Sequence, residues 1–266
     1  MDTEAPASLS TNCRIALLID ADNVSHSKIA VILAELSKYG TASIRRAYGD
    51  WASPGLKGWT EKLHEFAVKP IQQFSYSKGK NATDIALVID AMELLYTQKP
   101  DAFCIASSDA DFTPLVMQIK ANGHDVYGFG ERKTPEPFVN ACTTFLYLDD
   151  QEPPVATPTP VKASTGKGDK PLPTPAPAKT LSQDTKLVQL LRGAVAASAR
   201  DDGWALMAAA GSAAKRQAPI DPRNYGVKNF PALFEATGLF DIVKPSGGQS
   251  YIADKRNKDR AAKPAK

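Results

Sequence analysis

The stretch Ala102–Leu115, AFCIASSDADFTPL, decides the fold that we predict for the first half of the chain. Its apolar residues end at a pair of serines, Asp109 and Asp111 follow, and a helical pattern begins directly afterwards. In an α/β sheet, ligands bind at the carboxyl ends of strands, beside the point where the strand order reverses. Asp109 and Asp111 are therefore predicted to lie on a turn at a functional edge.

A second apolar run near the start of the chain ends in the same way. Ile15–Ile19 leads into Asp20-Ala21-Asp22-Asn23, and Asp84 opens the helical pattern that follows the third predicted strand. With a strand order of 3-2-1-4-5, strands one and four are neighbours at the reversal, and Asp20 faces Asp109 across the crevice. The sequence thus predicts that four acids converge, namely Asp20, Asp84, Asp109 and Asp111.

Strands and helices alternate through the first 150 residues. The predicted strands are Arg14–Asp20, Thr41–Tyr48, Ile71–Tyr76, Ala102–Ser107 and Asp125–Phe129, and a last short helix and strand fit within Pro137–Leu148. Apolar residues at helical spacing fill the intervals. This alternation is typical of a mostly parallel, three-layer α/β sheet with right-handed crossovers.

The second half begins with a change of composition. Residues 151–180 contain eight prolines and no hydrophobic period, which predicts an extended linker between two domains. Residues 181–254 carry three helical patterns and two short strands joined by Pro245-Ser246-Gly247-Gly248, the arrangement of a winged helix-turn-helix domain. Residues 255–266 form a basic tail with six Lys or Arg and one Asp.

Charge is distributed unevenly along the chain. Residues 1–150 contain 14 Lys or Arg and 19 Asp or Glu, whereas the remainder contains 18 and 10. An acidic first half joined to a basic second half suggests that the second half supplies part of the anion binding, although solubility alone also explains such a tail.

No apolar run is long enough for a membrane span and no signal peptide is evident, so we predict a cytoplasmic protein with three reduced cysteines.

Clustered carboxylates at a strand reversal favour a divalent metal. Hard oxygen ligands suit Mg²⁺ or Mn²⁺, and like charges at close range need a cation to be tolerated. The sequence has no P-loop, no GxGxxG and no Ser/His/Asp triad signature. In metal-assisted phosphodiester hydrolysis the ions activate a water and neutralise the leaving oxygen. We therefore predict Asp20, Asp84, Asp109 and Asp111 as the metal and catalytic residues.

Other polar residues near these acids are predicted substrate contacts, each with an alternative role. Ser107 and Ser108 either bind phosphate or satisfy turn amides, Asn23 either serves the site or makes an Asx-turn with Asp22, and Lys78 and Lys80 either contact a nucleic-acid backbone or are solvated. Asp84 is either a ligand or a helix N-cap or first-turn acid. Asp90 is predicted to be a solvated helix charge.

Three segments together resemble a known family. IALLIDADNVS, GKNATDIALVIDAME and CIASSDADFTPLVMQIKANGHDVYGFG are similar to the motifs of NYN domains, in the LabA-like branch of the PIN-like nucleases, over about residues 13–148. The resemblance implies a PIN-like fold in the domain 13–150, a divalent metal, ribonuclease activity, and acids at Asp20, Asp84, Asp109 and Asp111. Residues 181–254 resemble the LOTUS, or OST-HTH, domain, which implies RNA binding or docking of a protein partner.

The leading hypothesis is a metal-dependent ribonuclease with an RNA-recruiting second domain. One alternative is a haloacid-dehalogenase-like phosphatase, because Asp20 and Asp22 match its Asp-x-Asp strand end, although Tyr48-Gly49-Asp50 lacks the Ser or Thr that such an enzyme needs after strand two. The other alternative is an RNA-binding adaptor without catalysis.

Overall fold

The computed structural model describes residues 13–74, 81–149, 181–245 and 248–264. The chain divides into two compact units, Met1–Ala156 and Thr157–Lys266. Each unit has its own sheet, with a hydrophobic core on both faces of the first sheet and a separate core in the second unit.

The first unit is built on a parallel sheet. Among the described residues this sheet has six strands in the order β3-β2-β1-β4-β5-β6. The strands are β1 (Arg14–Asp20), β2 (Thr41–Gly49), β3 (Lys69–Gln72), β4 (Ala102–Ala106), β5 (Asp125–Gly130) and β6 (Thr144–Tyr147). The predicted order and the reversal between β1 and β4 are confirmed, and β6 extends the sheet.

The predicted bounds of the third strand are wrong. β3 pairs with Arg46–Gly49 of β2, the neighbouring strand in the described part of the sheet, and the two strands end together at the paired residues Gly49 and Gln72. The last backbone bond between them runs from Gln73 N to Gly49 O (3.1 Å). Residues 75–80 lie outside the described part of the chain. The length of β3 is set by its pairing with β2. The apolar pattern of Ile71–Tyr76 is local and does not show where that pairing ends.

Helices cover both faces of this sheet. Ile15–Ile19 of β1 are completely buried, and alternate side chains of β1 point into two separate cores. Burial of each Leu or Ile side chain contributes roughly 1.5–3 kcal/mol. One core packs against α1 (Ile29–Leu36) and α2 (Trp59–Glu65), and the other against α3 (Ala82–Thr97), α4 (Thr113–Ala121) and α5 (Glu136–Ala141). The three-layer prediction is confirmed.

Asp90 is not the solvated charge that its helical position predicts. Its carboxylate accepts hydrogen bonds from Arg46 Nη1 and Tyr48 Oη, both on β2, and only 16% of its side chain is exposed. Burial and the adjacent Asp90 carboxylate raise the pKa of Tyr48. The prediction failed because the face of α3 that carries Asp90 turns toward β2, where an Arg and a Tyr replace water as its partners.

The second unit combines helices with a small antiparallel sheet. Its elements are α6 (Thr185–Ser198), β7 (Ala205–Leu206), α7 (Met207–Gln217), α8 (Phe230–Thr237), β8 (Phe240–Val243) and β9 (Tyr251–Asp254). The strand order is β7-β9-β8, so a short strand that the sequence did not predict joins the predicted pair. Ser246 and Gly247 of the predicted hairpin turn lie outside the described residues.

The described part of the basic tail packs onto this unit. Trp204 Nε1 donates to Ala261 O (2.9 Å), and Ala261 N donates to Asp202 O (2.9 Å). The Arg260 guanidinium lies over the Trp204 ring and pairs with Asp241. Part of the positive charge of the tail is thus already neutralised within the domain. No helix in the described ranges has the length and apolar character needed to cross a membrane.

Candidate active site

Asp20 occupies the centre of the carboxyl edge of the first sheet. It is the last residue of β1 and is completely buried. Asn23 Nδ2 and Ser107 Oγ both donate to its Oδ2 atom, each at 2.7 Å. Its other oxygen, Oδ1, is buried and has no hydrogen-bond partner among the described residues. Burial raises the pKa of Asp20, and the bonds from Asn23 and Ser107 partly oppose that rise.

The loop after β4 is adjacent to Asp20 because of the strand register. Ile19 pairs with Ala106, so Ser107 emerges beside Asp20. Ser107 is completely buried, and its Oγ accepts from Asp109 N (3.1 Å) while it donates to Asp20. Ser108 Oγ accepts from Glu131 N (2.8 Å). Both serines therefore satisfy turn amides, and their predicted contacts with substrate stay predictions.

Close packing holds this loop against the end of β5. Ser107 N donates to Phe129 O (2.9 Å). A Cβ atom added at Gly130 would lie 2.6 Å from Ser107 O and 2.7 Å from Thr134 Oγ1. Only glycine fits at this position without moving the backbone that carries Ser107.

The two acids that follow β4 are linked to each other and to α3. Asp109 caps a short 3₁₀ turn, Ala110–Phe112, by accepting from Asp111 N at Oδ1 (2.8 Å). Asn81 Nδ2 donates to Asp111 Oδ2 (3.4 Å), which connects the start of α3 with the β4 loop. Sequence reasoning missed Asn81. The sequence shows Asn81 as a polar residue at the start of a helix, and the side chain of such a residue ordinarily caps its own helix, so the pattern does not indicate a contact with Asp111.

Asp84 lies in the first turn of α3, whose N-cap is Asn81. The N-cap alternative for Asp84 is therefore wrong, and the first-turn position is confirmed. Burial, followed by the carboxylates of Asp20, Asp109, Asp22 and Asp111, raises the pKa of Asp84 to about 6. The other predicted acids are thus near enough to Asp84 to disfavour its charge, as expected for acids gathered at one edge.

The donor set fits a hard divalent cation. No residue that the structure describes bonds to the buried Oδ1 of Asp20, and neighbouring carboxylates repel the charge of Asp84. A cation bound there would relieve both costs. In the described ranges, no three His, Cys, Asp or Glu side chains already form a group able to hold a metal ion. Lys78 and Lys80 lie outside the described residues, so their predicted role stays a prediction.

Comparison with known proteins agrees with this architecture. The family model of the NYN domain matches residues 14–149, and that of the OST-HTH/LOTUS domain matches residues 179–252. The chain therefore belongs to the NYN family, within the PIN-like nuclease superfamily, and carries an OST-HTH/LOTUS domain after it.

Individual relatives are distant. The chain is 30% identical over 122 residues to an uncharacterized protein of Methanocaldococcus jannaschii, covering 44% of this chain and 47% of that protein. The chain thus spans about half the length of this curated relative. A crystal structure of a protein of unknown function from Vibrio parahaemolyticus is similar with a TM-score of 0.45 and 19% identity, over 56% of this chain and 98% of that one.

Proposed function

We propose that this protein is a ribonuclease that uses Mg²⁺ or Mn²⁺ at the carboxyl edge of the first sheet to hydrolyse RNA phosphodiester bonds. The observation that carries the proposal is the buried Asp20 Oδ1, which has no partner in the described residues and lies near other carboxylates. A buried carboxylate oxygen without a partner is costly unless a ligand satisfies it. The NYN match supports a nuclease role for this unit.

The residues at the carboxyl edge have two tasks in this proposal, holding the metal and orienting Asp20. Asp20, Asp84, Asp109 and Asp111 would hold the metal, which when bound supplies an activated water and neutralises charge on the leaving oxygen. Asn23 and Ser107 engage Oδ2 of Asp20 and so leave Oδ1 to the ion. Such partners of a ligand fix its orientation and tune its basicity.

The second unit would bring RNA to this site. The OST-HTH/LOTUS match supports RNA binding, and the chain beyond residue 150 carries 18 Lys or Arg against 10 Asp or Glu. Lysine and arginine side chains bind RNA by releasing counterions from its phosphates. A protein partner for residues 181–254 is the alternative role. Membership in the NYN family favours a nuclease over the phosphatase hypothesis.

The Asp20→Asn substitution tests the catalytic proposal. It keeps the size of the side chain and removes the charge, so RNA cleavage measured against Mn²⁺ concentration should fall by at least about 100-fold. Without metal the variant should unfold at a higher temperature than the wild type, because burial raises the pKa of Asp20 and so penalises its charged form.

Asp125→Asn is the matched control, because this carboxylate lies at the amino end of β5 and is exposed. It should cleave RNA like the wild type. An Asp20→Asn protein with wild-type metal dependence would overturn the assignment of this site. A wild-type protein that binds RNA but cuts none with either ion would instead support the adaptor alternative.

A further inference from the structure

The second unit contains an open groove between α7, the start of α8 and the residues just before β9. Its volume is about 520 Å³. Ala208, Gly211 and Ser212 on α7 form part of its wall. These small side chains leave space that longer residues at the same helix positions would fill. The groove therefore originates in the small-residue composition of α7, MAAAGSAAKRQ.

One wall of the groove is aromatic and carries a positive charge. Phe230, the first residue of α8, is half-buried and lines the groove. Lys215 Nζ lies 5.8 Å from the centre of its ring, which is a cation–π contact. The lysine is exposed and has a flexible stem, so its ammonium group can leave the ring face when another flat group stacks there.

The rest of the lining combines apolar residues, such as Leu206 and Pro231, with polar ones, and it is not acidic. Ser212, Asn229, Gln249 and Ser250 provide hydroxyl and amide groups, and none of the groove residues in the described part of the chain is an Asp or Glu. An aromatic face, a cation and neutral hydrogen-bonding groups without carboxylates match a base with its phosphate. A lining without carboxylates gives a basic peptide no partner for its charge.

We propose that this groove holds one unpaired nucleobase of RNA, stacked on Phe230, with Lys215 moved onto the adjoining phosphate. The inference rests on the RNA-recruiting role proposed for this unit and deepens it by naming the subsite and its ligand. It commits the unit to single-stranded RNA, because the faces of a base inside a duplex are covered by the neighbouring bases of the stack.

The first test blocks the groove in the full chain. Ala208 is exposed on the groove wall, so Ala208→Trp fills the space, while Ala197→Trp places the same side chain on an exposed position of α6. Binding of a labelled 12-nucleotide oligo(A) RNA is measured in EDTA, without metal. Ala208→Trp should weaken binding by about tenfold or more, and Ala197→Trp should not change it.

The charge is tested separately. Lys215→Gln should weaken binding of oligo(A) and reduce its salt slope by about one, whereas Arg216→Gln, one residue along α7 and outside the groove, should bind like the wild type. Wild-type affinity in both Ala208→Trp and Lys215→Gln would overturn the groove inference and leave the proposed function standing. Failure of the wild type to bind any RNA would overturn the recruiting role together with the inference.

A third measurement needs no substitution. Met207 lines the groove, whereas Met92 and Met117 lie in the first unit. In full-length protein with ¹³C-methyl methionine, adenosine 5′-monophosphate should shift the Met207 signal through the ring current of the base and leave Met92 and Met117 unchanged. Ribose 5-phosphate, which has no base, should not shift it. An unmoved Met207 signal with the nucleotide would overturn the proposal.

Discussion

At the end of β1 the two oxygens of Asp20 have different surroundings. Oδ2 accepts from Asn23 and Ser107, and Oδ1 accepts from no described residue. Asn23 and Ser107 can therefore serve the site by orienting the Asp20 carboxylate, without contacting substrate. The hydroxyl of Ser107 is completely buried, and what it visibly does is hold one carboxylate oxygen.

Removal of either partner of Asp20 should weaken metal binding. Asn23→Ala and Ser107→Ala each delete one hydrogen bond to Oδ2, so the carboxylate becomes free to rotate away from the ion. We expect Mn²⁺ affinity, measured by titration calorimetry, to fall by about 10- to 100-fold. Ser37→Ala is the control, since its hydroxyl donates to Ala34 O at the end of α1 and has no place among the residues predicted for the site. Unchanged affinity in both variants would contradict the orienting role.

Asp90 should matter for stability. Asp90→Asn leaves Arg46 with a weaker partner and changes the bond to Tyr48, in a place where little water can compensate. We expect a loss of roughly 1.5–3 kcal/mol in the free energy of unfolding, measured with urea. The control is Glu93→Gln, an exposed acid on the same helix. Equal stability of the two variants would show that the buried interaction contributes nothing.

At the scale of elements, an ion pair between Asp221 and Arg223 lies at the start of the 3₁₀ turn Pro222–Tyr225. Asp221, which is 5% exposed, caps this turn by accepting from Arg223 N (2.9 Å), and it also accepts from Arg223 Nε and Nη2. Burial alone would raise the pKa of Asp221, but the hydrogen bonds and charge of Arg223 outweigh it and lower the pKa. The ion pair therefore stabilises the folded form with Asp221 ionised.

Arg223→Gln should destabilise the second unit in a pH-dependent way. The pKa of Asp221 is lower in the folded protein than in the unfolded chain, where it is near 4. The ion pair therefore stabilises the fold fully at a pH above the unfolded-state pKa, and this stabilisation is lost as the pH falls through the folded-state pKa. We expect the variant to lose roughly 1.5–3 kcal/mol at pH 7, and we expect this deficit to shrink below pH 4. The Trp204 indole signal, followed by NMR during unfolding, reports on this unit. A deficit that is constant with pH would refute the ion-pair explanation.

At the scale of the whole molecule, the two units should divide recruitment and catalysis. Deletion of residues 181–266 should weaken RNA binding and flatten its salt dependence, because fewer phosphate counterions are released. Cleavage of short RNA with Mn²⁺ should persist, since the four acids proposed to hold the metal all lie in the first unit. A truncated protein with unchanged affinity and salt slope would assign the second unit to a protein partner.

Residues 151–180 should be the most sensitive site for proteases. The prediction of a linker there rests on eight prolines and the absence of a hydrophobic period. Brief trypsin treatment should cut after Lys162, Lys167 or Lys179 and release two folded fragments, identified by mass spectrometry and circular dichroism. Loss of structure in either fragment would contradict independent folding of the domains 13–150 and 181–254.

The sequence by itself determined the α/β class, the strand order at the reversal and the place of the acids. These features depend on local patterns, namely apolar runs of strand length, helical periods between them, and acids directly after two strands. Asp20 and Asp109 follow strands that have to be neighbours once the strand order reverses. The pairing of β1 with β4 then puts Asp20 beside Ser107, which lies two residues before Asp109 in the chain.

Only the tertiary structure decided which partner each polar group has. Nothing local distinguishes Asp90, paired with Arg46 and Tyr48, from an ordinary exposed helix acid. Asn81 occupies the N-cap position of α3, but its side chain donates to Asp111 and makes no capping hydrogen bond to that helix, and β3 ends where its partner strand ends. The physical reason is the same in each case. Hydrogen bonds and burial depend on residues distant in the chain, whose proximity is created by packing and is not contained in any local pattern.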